Sequence, residues 1–527
     1  MPRALRCGRA AARASGWPER SCAGHAKPRE HRARRSAAGR LRRARQGAFR
    51  MGVQCQVLSE AEREVIHAES IRILEEIGVK FLSETARKIV SDHGARVETG
   101  SKIAKIPREL VDQALATAPR SFVLGARDPA RDFALPSAYS GYILDNGGVF
   151  VRDFRSGERR NCNLQDLVDF NRVFDAMSLA SVAWPATIAD LFPPHSASIH
   201  TDIYSLMSSS LHIQSEFWSP REVPFILEAL TAILGDEKAV KERKIFSVVY
   251  CTLAPLVHEG GMCDAYLELI EFGAPILIFP MPCAGTTGPA SLFSNIAMAN
   301  AEALSSLVLF QLARPGTPLV FGDAGGAANF ANGTFLEGAP EMVLQTAARA
   351  EMARFYGLPN SQAGCLTDAK DHGAQAVMEK LITTLPLVLN GTDLIQGPGA
   401  LETSNMMTLE QIVVDEEIAQ LCKRLREGVD FSAAKNLFDD IQKVQPGGHF
   451  LMADSTLANC RTAEFFRPAL CDRNPYERWS ELGRPDVYSK AKERVEEILA
   501  QPQKNPLPDD VIGKLEDIMQ RADEALN

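Results

Sequence analysis

The chain has 527 residues and a formal net charge of −8, with 45% hydrophobic and 24% charged residues, proportions that exclude wholesale disorder. The total hides a split. Residues 1–50 hold 15 Lys and Arg against only Glu19 and Glu30, so residues 51–527 carry 43 basic and 64 acidic side chains, a balance of −21. This acidic body gives no electrostatic reason to expect a nucleic-acid partner.

The first 50 residues are rich in Arg and Ala and lack the apolar core of a secretory signal. Their composition matches a mitochondrial transit peptide, with a basic nucleic-acid-binding arm as a second reading. A helix start close behind Met51 favours a third: Met51 is the true start, and residues 1–50 are an unstructured, dispensable leader. No stretch reads as a membrane span, because Ile296 to Leu312 carries Asn300, Glu302 and Gln311 and fits a buried helix; a cytoplasmic location is expected. The eleven cysteines are scattered with no CxxC pair, as in reduced thiols. Cys251, Cys263, Cys283 and His258 lack the spacing of a zinc knuckle, so they read as core groups and no metal is expected.

Apolar residues recur at helical spacing from Leu58 to Val79, behind a Ser59/Glu62 capping box. A second helix starts at Pro107 and reaches about Ala116. Between Tyr139 and Arg160 the pattern alternates, with hairpin-turn signals at Asp145-Asn146-Gly147-Gly148 and Ser156-Gly157. Asn163 then caps a helix through Phe174. Residues 51–176 are therefore expected to form an N-terminal mixed α/β region.

A strand–helix beat follows. Its apolar runs are Leu179–Trp184, Leu211–Phe217, Ile245–Tyr250, Pro275–Phe279, Pro318–Phe321, Ser361–Gly364, Asp393–Ile395 and Phe450–Met452. Continuous apolarity suits parallel strands buried on both faces. Eight units predict an α/β fold with a closed (β/α)8 TIM barrel over 177–500, whose closing helix contains Val495 to Leu499, and a helical tail over 501–527. An open doubly wound sheet is the rival, but Trp184-Pro185-Ala186-Thr187 stands where its Gly-rich phosphate loop belongs.

In such a barrel the chemistry sits at the C-terminal strand ends. Those ends offer aromatics (Trp184, Phe217, Trp218, Tyr250, Phe279, Phe321), neutral polar groups (His212, Gln214, Gln362, Gln396, His449) and the carboxylates Glu216, Asp323, Asp368 and Asp454. Lys370 and Arg461 are the nearest cations, so a phosphorylated substrate is not expected. Aromatic faces with sparse carboxylates suit a quaternary ammonium, each cation–π contact contributing about 0.5–2 kcal/mol. Taken singly, each aromatic is more often core packing. Three small-residue loops follow the fifth, sixth and seventh runs: Gly322 to Ala327, Gln362 to Lys370, where Thr367 or Asp368 could cap the next helix, and Gly397 to Glu402.

The stretch Ala363-Gly364-Cys365-Leu366-Thr367-Asp368-Ala369-Lys370, the turn Gly397-Pro398-Gly399 and Gly447-Gly448-His449-Phe450 resemble the trimethylamine methyltransferase family. So do the tail Phe465-Phe466-Arg467-Pro468 with Asp472 to Trp479, the stretch Ile106 to Val111, and Asp145 to Gly148. The likeness spans residues 56–500. It implies a TIM barrel that moves a methyl group from a methylated amine to the Co(I) of a separate corrinoid protein, with no tightly bound cofactor. It also implies an anaerobic one-carbon role of the methanogenesis type. Trimethylamine-using members carry pyrrolysine in the loop after the sixth strand. Here that slot, Gly364 to Asp368, holds only standard residues, which favours a glycine betaine or related quaternary-amine substrate.

The expected substrate-binding residues are Trp184, His212, Glu216, Tyr250, Phe279, Phe321, Asp323, Gln396 and His449, with Lys370 as a further donor to a substrate carboxylate. Gly325, Gly326, Gly397 and Gly399 would let the corrin ring approach. No catalytic dyad is expected, since orientation and electrostatics suffice. Trimethylamine as substrate, a zinc-dependent corrinoid methyltransferase, and a non-catalytic quaternary-amine-binding barrel remain as alternatives. A homo-oligomer is expected to be possible.

Overall fold

Eight short strands, each buried along its whole length, pair in parallel around a closed barrel. In this computed structural model residues 52–187 and 192–527 are described, and the leader expected over residues 1–50 lies outside them. The strands are β1 (Gly141–Ile143), β2 (Ala180–Ala183), β3 (His212–Ser215), β4 (Phe246–Tyr250), β5 (Ile276–Ile278), β6 (Leu319–Asp323), β7 (Asn360–Ala363) and β8 (Leu394–Gln396). Each neighbours the next in chain order, and β1 closes the ring between β8 and β2.

Seven of the eight expected runs are barrel strands. The eighth, Phe450–Met452, is not a strand, and its side chains are 43–87% exposed. The missing strand is β1, three residues long and inside the stretch expected to form hairpins. Its Gly141 is required by packing, because a Cβ there would overlap Ser181 Oγ and the Phe133 ring. The barrel therefore begins at Gly141, the expected boundary at 177 falls inside it, and residues 51–527 make one compact unit.

The capping boxes at Ser59/Glu62 and Asn163/Asp166 start helices Glu60–Arg72 and Leu164–Asp175 as their sequences suggest. Pro107 is the N-cap of Arg108–Thr117. The N-terminal helices pack on Leu292–Ala313, which is the one helix among the described residues long and apolar enough to cross a membrane, and which is buried. A four-stranded sheet joins Val79–Phe81, Ile103–Lys105 and Arg96–Glu98 to Val257–His258 from the loop after β4. The Ser156-Gly157 hairpin belongs to a second four-stranded sheet that includes Ala400–Leu401 and Met406–Met407 from the loop after β8. Helix Val487–Ala500 packs on Leu409–Glu427, burying Val495 and Ile498. The tail helix Asp509–Leu526 packs on Val223–Leu234. Its far end reaches the barrel mouth, where Arg221 donates to the Ala525 carbonyl and His200 Nε2 lies 2.8 Å from Asp523.

Candidate active site at the barrel mouth

A cavity of about 430 Å³ opens beyond the C-terminal ends of β1, β2 and β3. Asn146 from the β1 loop, Trp184 after β2, and Ser215 and Glu216 at the end of β3 line it, and Leu526 of the tail helix closes one side. Trp184 is buried and meets Phe279 edge-on at 6.4 Å between ring centroids, whereas Trp218 is 53% exposed at the rim. Glu222 also lines the cavity, but its carboxylate is used locally. It accepts from the backbone N–H groups of Trp218 and Ser219 at 3.0 and 2.9 Å and from the Ser198 hydroxyl.

Two other carboxylates are not satisfied in that way. Asp202, on helix Ala197–Ser208, is fully buried, and neither oxygen has a hydrogen-bond partner of good geometry. Burial pushes its pKa well above the usual carboxylate range; the neighbouring Ser215 side chain opposes this, and Glu222 and Glu216 push it further up. Burial also raises Glu216 to about 7, with only a 3.5 Å contact from the Cys251 thiol to favour its charge. The buried Nε2 of His195, another lining residue, has no partner either. Unpaired buried polar groups cost about 1–3 kcal/mol each, so their concentration in one cavity makes it the candidate binding site.

The polar interior continues at the C-terminal ends of β1 and β8. Gln396 Nε2 donates to Asp145 Oδ1 at 3.3 Å, leaving Gln396 Oε1 and Asp145 Oδ2 unpaired, and Gln362 Oε1 and Gln214 Nε2 are likewise buried without partners. Glu337, buried nearby, is raised to about 8 by burial and by the Asp145 charge.

Of the residues expected from sequence, Trp184 and Glu216 line the cavity, Phe279 supports Trp184, and Gln396 stands in the polar interior. The others are placed elsewhere. His212 is the first residue of β3, at the barrel base, with Nδ1 2.8 Å from the Gly125 carbonyl and Nε2 2.7 Å from Ser247 Oγ; burial lowers its pKa to about 4. Tyr250 points into the helical layer, where its hydroxyl meets His258 Nδ1 and Cys263 Sγ, both at 2.8 Å, and its ring packs on Phe310. Phe321 packs on Tyr356. Asp323 faces the buried Arg349 at 3.4 Å. His449 is exposed in the segment after Gly428, and Lys370 is exposed and donates to the Asp368 carbonyl. Parity explains Tyr250 and Phe321: alternate strand residues face the barrel interior and the helices.

The model of the family described as trimethylamine methyltransferase (MTTB) matches residues 25–526. The chain belongs to the trimethylamine methyltransferase family. It is 30% identical over 467 residues to the trimethylamine methyltransferase MttB of Desulfitobacterium hafniense strain DSM 10664 / DCB-2, covering 88% of this chain and 94% of that one. It is also 30% identical over 450 residues to a glycine betaine methyltransferase of D. hafniense strain Y51, covering 84% and 92%. Among solved structures, the Methanosarcina barkeri monomethylamine methyltransferase (MtmB) aligns over 93% of this chain and 91% of its own, with 8% identity and a TM-score of 0.48.

In this trimethylamine methyltransferase family member the loop after β7 is locked down rather than open. A Cβ on Gly364 would strike Leu387. Cys365 is fully buried at a left-handed φ of 56°, and burial raises its thiol above the ordinary range. Leu366 N–H donates to Thr383 Oγ1 at 3.1 Å. Thr367 and Asp368 do not cap the following helix, whose N-cap is Gly373. The Thr367 hydroxyl and the Asp368 N–H donate instead to Glu379, at 2.6 and 2.8 Å. Asp368 in turn accepts from the N–H groups of Glu337 and Gly338 and from the Thr403 hydroxyl. Lys380, fully buried, spends its three donors on the Cys365 carbonyl, the Gly397 carbonyl and Asp415, at 2.7, 3.2 and 2.9 Å.

The glycines expected to admit a corrin ring serve internal packing. A Cβ at Gly326 would meet the Phe335 ring, at Gly397 the Gly364 carbonyl, and at Gly399 the Ile412 side chain, while Gly325 lies beside Asp323 and the Pro282 carbonyl. All four are buried. Sequence reasoning also missed Asp202, His195, Asp145 and Glu337. Only Asp202 left a readable signal, as an acid among the apolar positions of helix Ala197–Ser208.

Proposed function

We propose that this methyltransferase takes a methyl group from a quaternary amine such as glycine betaine and passes it to the reduced cobalt of a corrinoid carried by a separate protein. The observation that carries the reading is the mouth cavity, which combines a buried Trp184 face with a buried Asp202 and a half-buried Glu216, neither of them in an ion pair. A quaternary ammonium donates no conventional hydrogen bond, and it is recognised by an aromatic face and a diffuse counter-charge.

The acceptor cobalt supplies the nucleophilic electron pair. The C–N bond breaks with its electrons left on nitrogen, so a neutral tertiary amine departs without prior protonation. The chain has to orient and desolvate the amine. Positive charge drains from nitrogen as the methyl leaves, so a strong ion pair would stabilise the bound substrate more than the transition state. Glu216, near 7, is half-ionised at neutral pH, a softer counter-charge that limits this penalty. His195 and Arg221, both lining the cavity, replace His212, His449 and Lys370 as candidate donors to a substrate carboxylate.

Gly325, Gly326, Gly397 and Gly399 are packed inside the chain, and the open rim beside Trp218 is the place where a corrinoid carried by a partner would approach. The standard residues of the Gly364 to Asp368 loop, turned into the wall by Lys380 and Thr383, support a quaternary amine over trimethylamine. A panel of glycine betaine, proline betaine, carnitine, choline and trimethylamine with cob(I)alamin, read by methylcobalamin formation, tests this. Activity with one or more of the four quaternary amines is expected. Activity with trimethylamine alone would refute the substrate class, and activity with none of them would refute the reading.

A further inference from the structure

Asp202 and Glu216 share the mouth cavity but not their surroundings. Glu216 follows β3 and is half-buried, and near 7 it trades its proton with solvent at neutral pH. Asp202 comes from helix Ala197–Ser208, on the stripe that carries Ile199, Ile203 and Leu206, where helical spacing turns side chains inward. It is fully buried, and neither of its oxygens has a partner of good geometry. The charged groups acting on it are Glu222 and Glu216, and both oppose its ionisation; only the Ser215 side chain favours it. Arg221, on the same cavity wall, is engaged by the Ala525 carbonyl, and the Nε2 of His195 has no partner. A buried carboxylate beside two other acids and without a cation is strongly disfavoured. Asp202 therefore keeps its proton at neutral pH, as an acid whose hydroxyl is free to donate.

We propose, resting on the quaternary-amine reading, that Asp202 gives its proton to the tertiary amine left after methyl transfer. The transfer forms the methyl–cobalt bond and breaks the C–N bond, whose electron pair stays on nitrogen. A tertiary amine is a far stronger base than a carboxylate. Once the methylated cobalt withdraws, the nitrogen lone pair takes the proton from the Asp202 hydroxyl. A tertiary ammonium and an Asp202 carboxylate result, with no change in the summed charge of the cavity. The carboxylate regains a proton from water at the open mouth as the product leaves, so each turnover takes one proton from solvent. A neutral amine held in the cavity would take the methyl group back from the next methylated cobalt, whereas a protonated one has no lone pair to attack with. The uncharged Asp202 also adds no ion pair to the bound substrate, and its charge appears only after the methyl has gone. Two carboxyl groups in unlike environments divide acid and counter-charge roles in this way: Glu216 faces the fixed charge of the substrate, and Asp202 supplies the proton to the product.

The test compares methyl transfer to cob(I)alamin in a single turnover and in steady state, at saturating quaternary amine, in the wild type, Asp202→Asn and Asp202→Glu. The amide keeps the shape of the acid and cannot surrender a proton. It is expected to lower the steady-state rate by about tenfold or more beyond its effect on the single turnover, so that a burst of about one equivalent of methylcobalamin precedes a slow phase. Asp202→Glu keeps the acid and should restore most of the steady-state rate. Equal losses in the two measurements, which a purely structural or binding role predicts, would overturn the proposal. So would a wild-type steady-state rate in Asp202→Asn, or an Asp202→Glu variant as slow as the amide. If Asp202→Asn fails to fold, Asp202→Ser takes its place in the same comparison. A wild type that methylates cob(I)alamin from none of the quaternary amines overturns the function and the proton donor together, and an active wild type with no burst in the variant overturns the proton donor alone.

Discussion

The two halves of the barrel mouth are built on opposite plans. Beyond β6, β7 and β8 the loops are tied together: Asp368 holds the chain at Glu337, Gly338 and Thr403, Glu379 holds Thr367 and Asp368, and Lys380 joins the β7 and β8 loops to Asp415. Beyond β1, β2 and β3 the polar groups are buried but unpaired, notably Asp202 and His195, around an open cavity. A satisfied network rigidifies, and an unsatisfied one stores free energy that a ligand can release. On the proposed function, the locked half is the scaffold and the open half the candidate site.

If that division holds, damage to the two halves should separate. The largest effect is expected from Lys380→Met. It leaves Asp415 as an uncompensated buried charge and should cost about 3–5 kcal/mol in urea unfolding. An equally stable variant would mean the β7–β8 clamp is not structural. Glu216→Gln should act in the opposite direction on stability. The folded pKa of about 7 lies above the ordinary 4.5, so ionisation penalises the fold progressively as pH rises from about 4.5 to 7 and by a constant amount above. The variant lacks that penalty, and it should gain on the order of 3 kcal/mol at pH 8 and nothing at pH 4, while methyl transfer falls. Gain at both pH values, or at neither, would show that Glu216 does not titrate as described.

Ser404→Ala should give the smallest change. Glu402, Thr403 and Ser404 follow one another at left-handed φ values of 56–57°, costly for non-glycine residues, and this turn delivers the Ser404 hydroxyl to Glu337 at 2.8 Å. Losing that hydrogen bond is expected to cost about 1 kcal/mol of stability. A loss of several kcal/mol would assign the turn a larger role in the clamp.

The sequence carried the fold further than the site. Seven strands were legible because strands buried on both faces read as apolar runs. β1 was not, because three residues ahead of an Asp-Asn-Gly-Gly sequence look like a hairpin arm. Phe450–Met452 was misread because apolarity reports burial without saying against what, and here the chain itself supplies no cover. Trp184 and Glu216 could be found by counting to the strand ends. His212 could not be excluded, because one residue decides whether it opens or closes a strand. Tyr250 failed on the parity that turns its ring to Phe310. Asp202 comes from a helix, outside any search confined to strand ends.

The most direct test of the open half is a calorimetric titration of glycine betaine at pH 6 and pH 8, in the wild type and in Glu216→Gln. The ammonium charge of betaine does not titrate, so any dependence belongs to the protein. Glu216 is mostly protonated at pH 6 and mostly ionised at pH 8, so binding should tighten with rising pH by up to about tenfold, and the variant should bind weakly at both values. Equal affinity at both pH values in the wild type, or an unchanged profile in Glu216→Gln, would contradict a cation site built on Glu216.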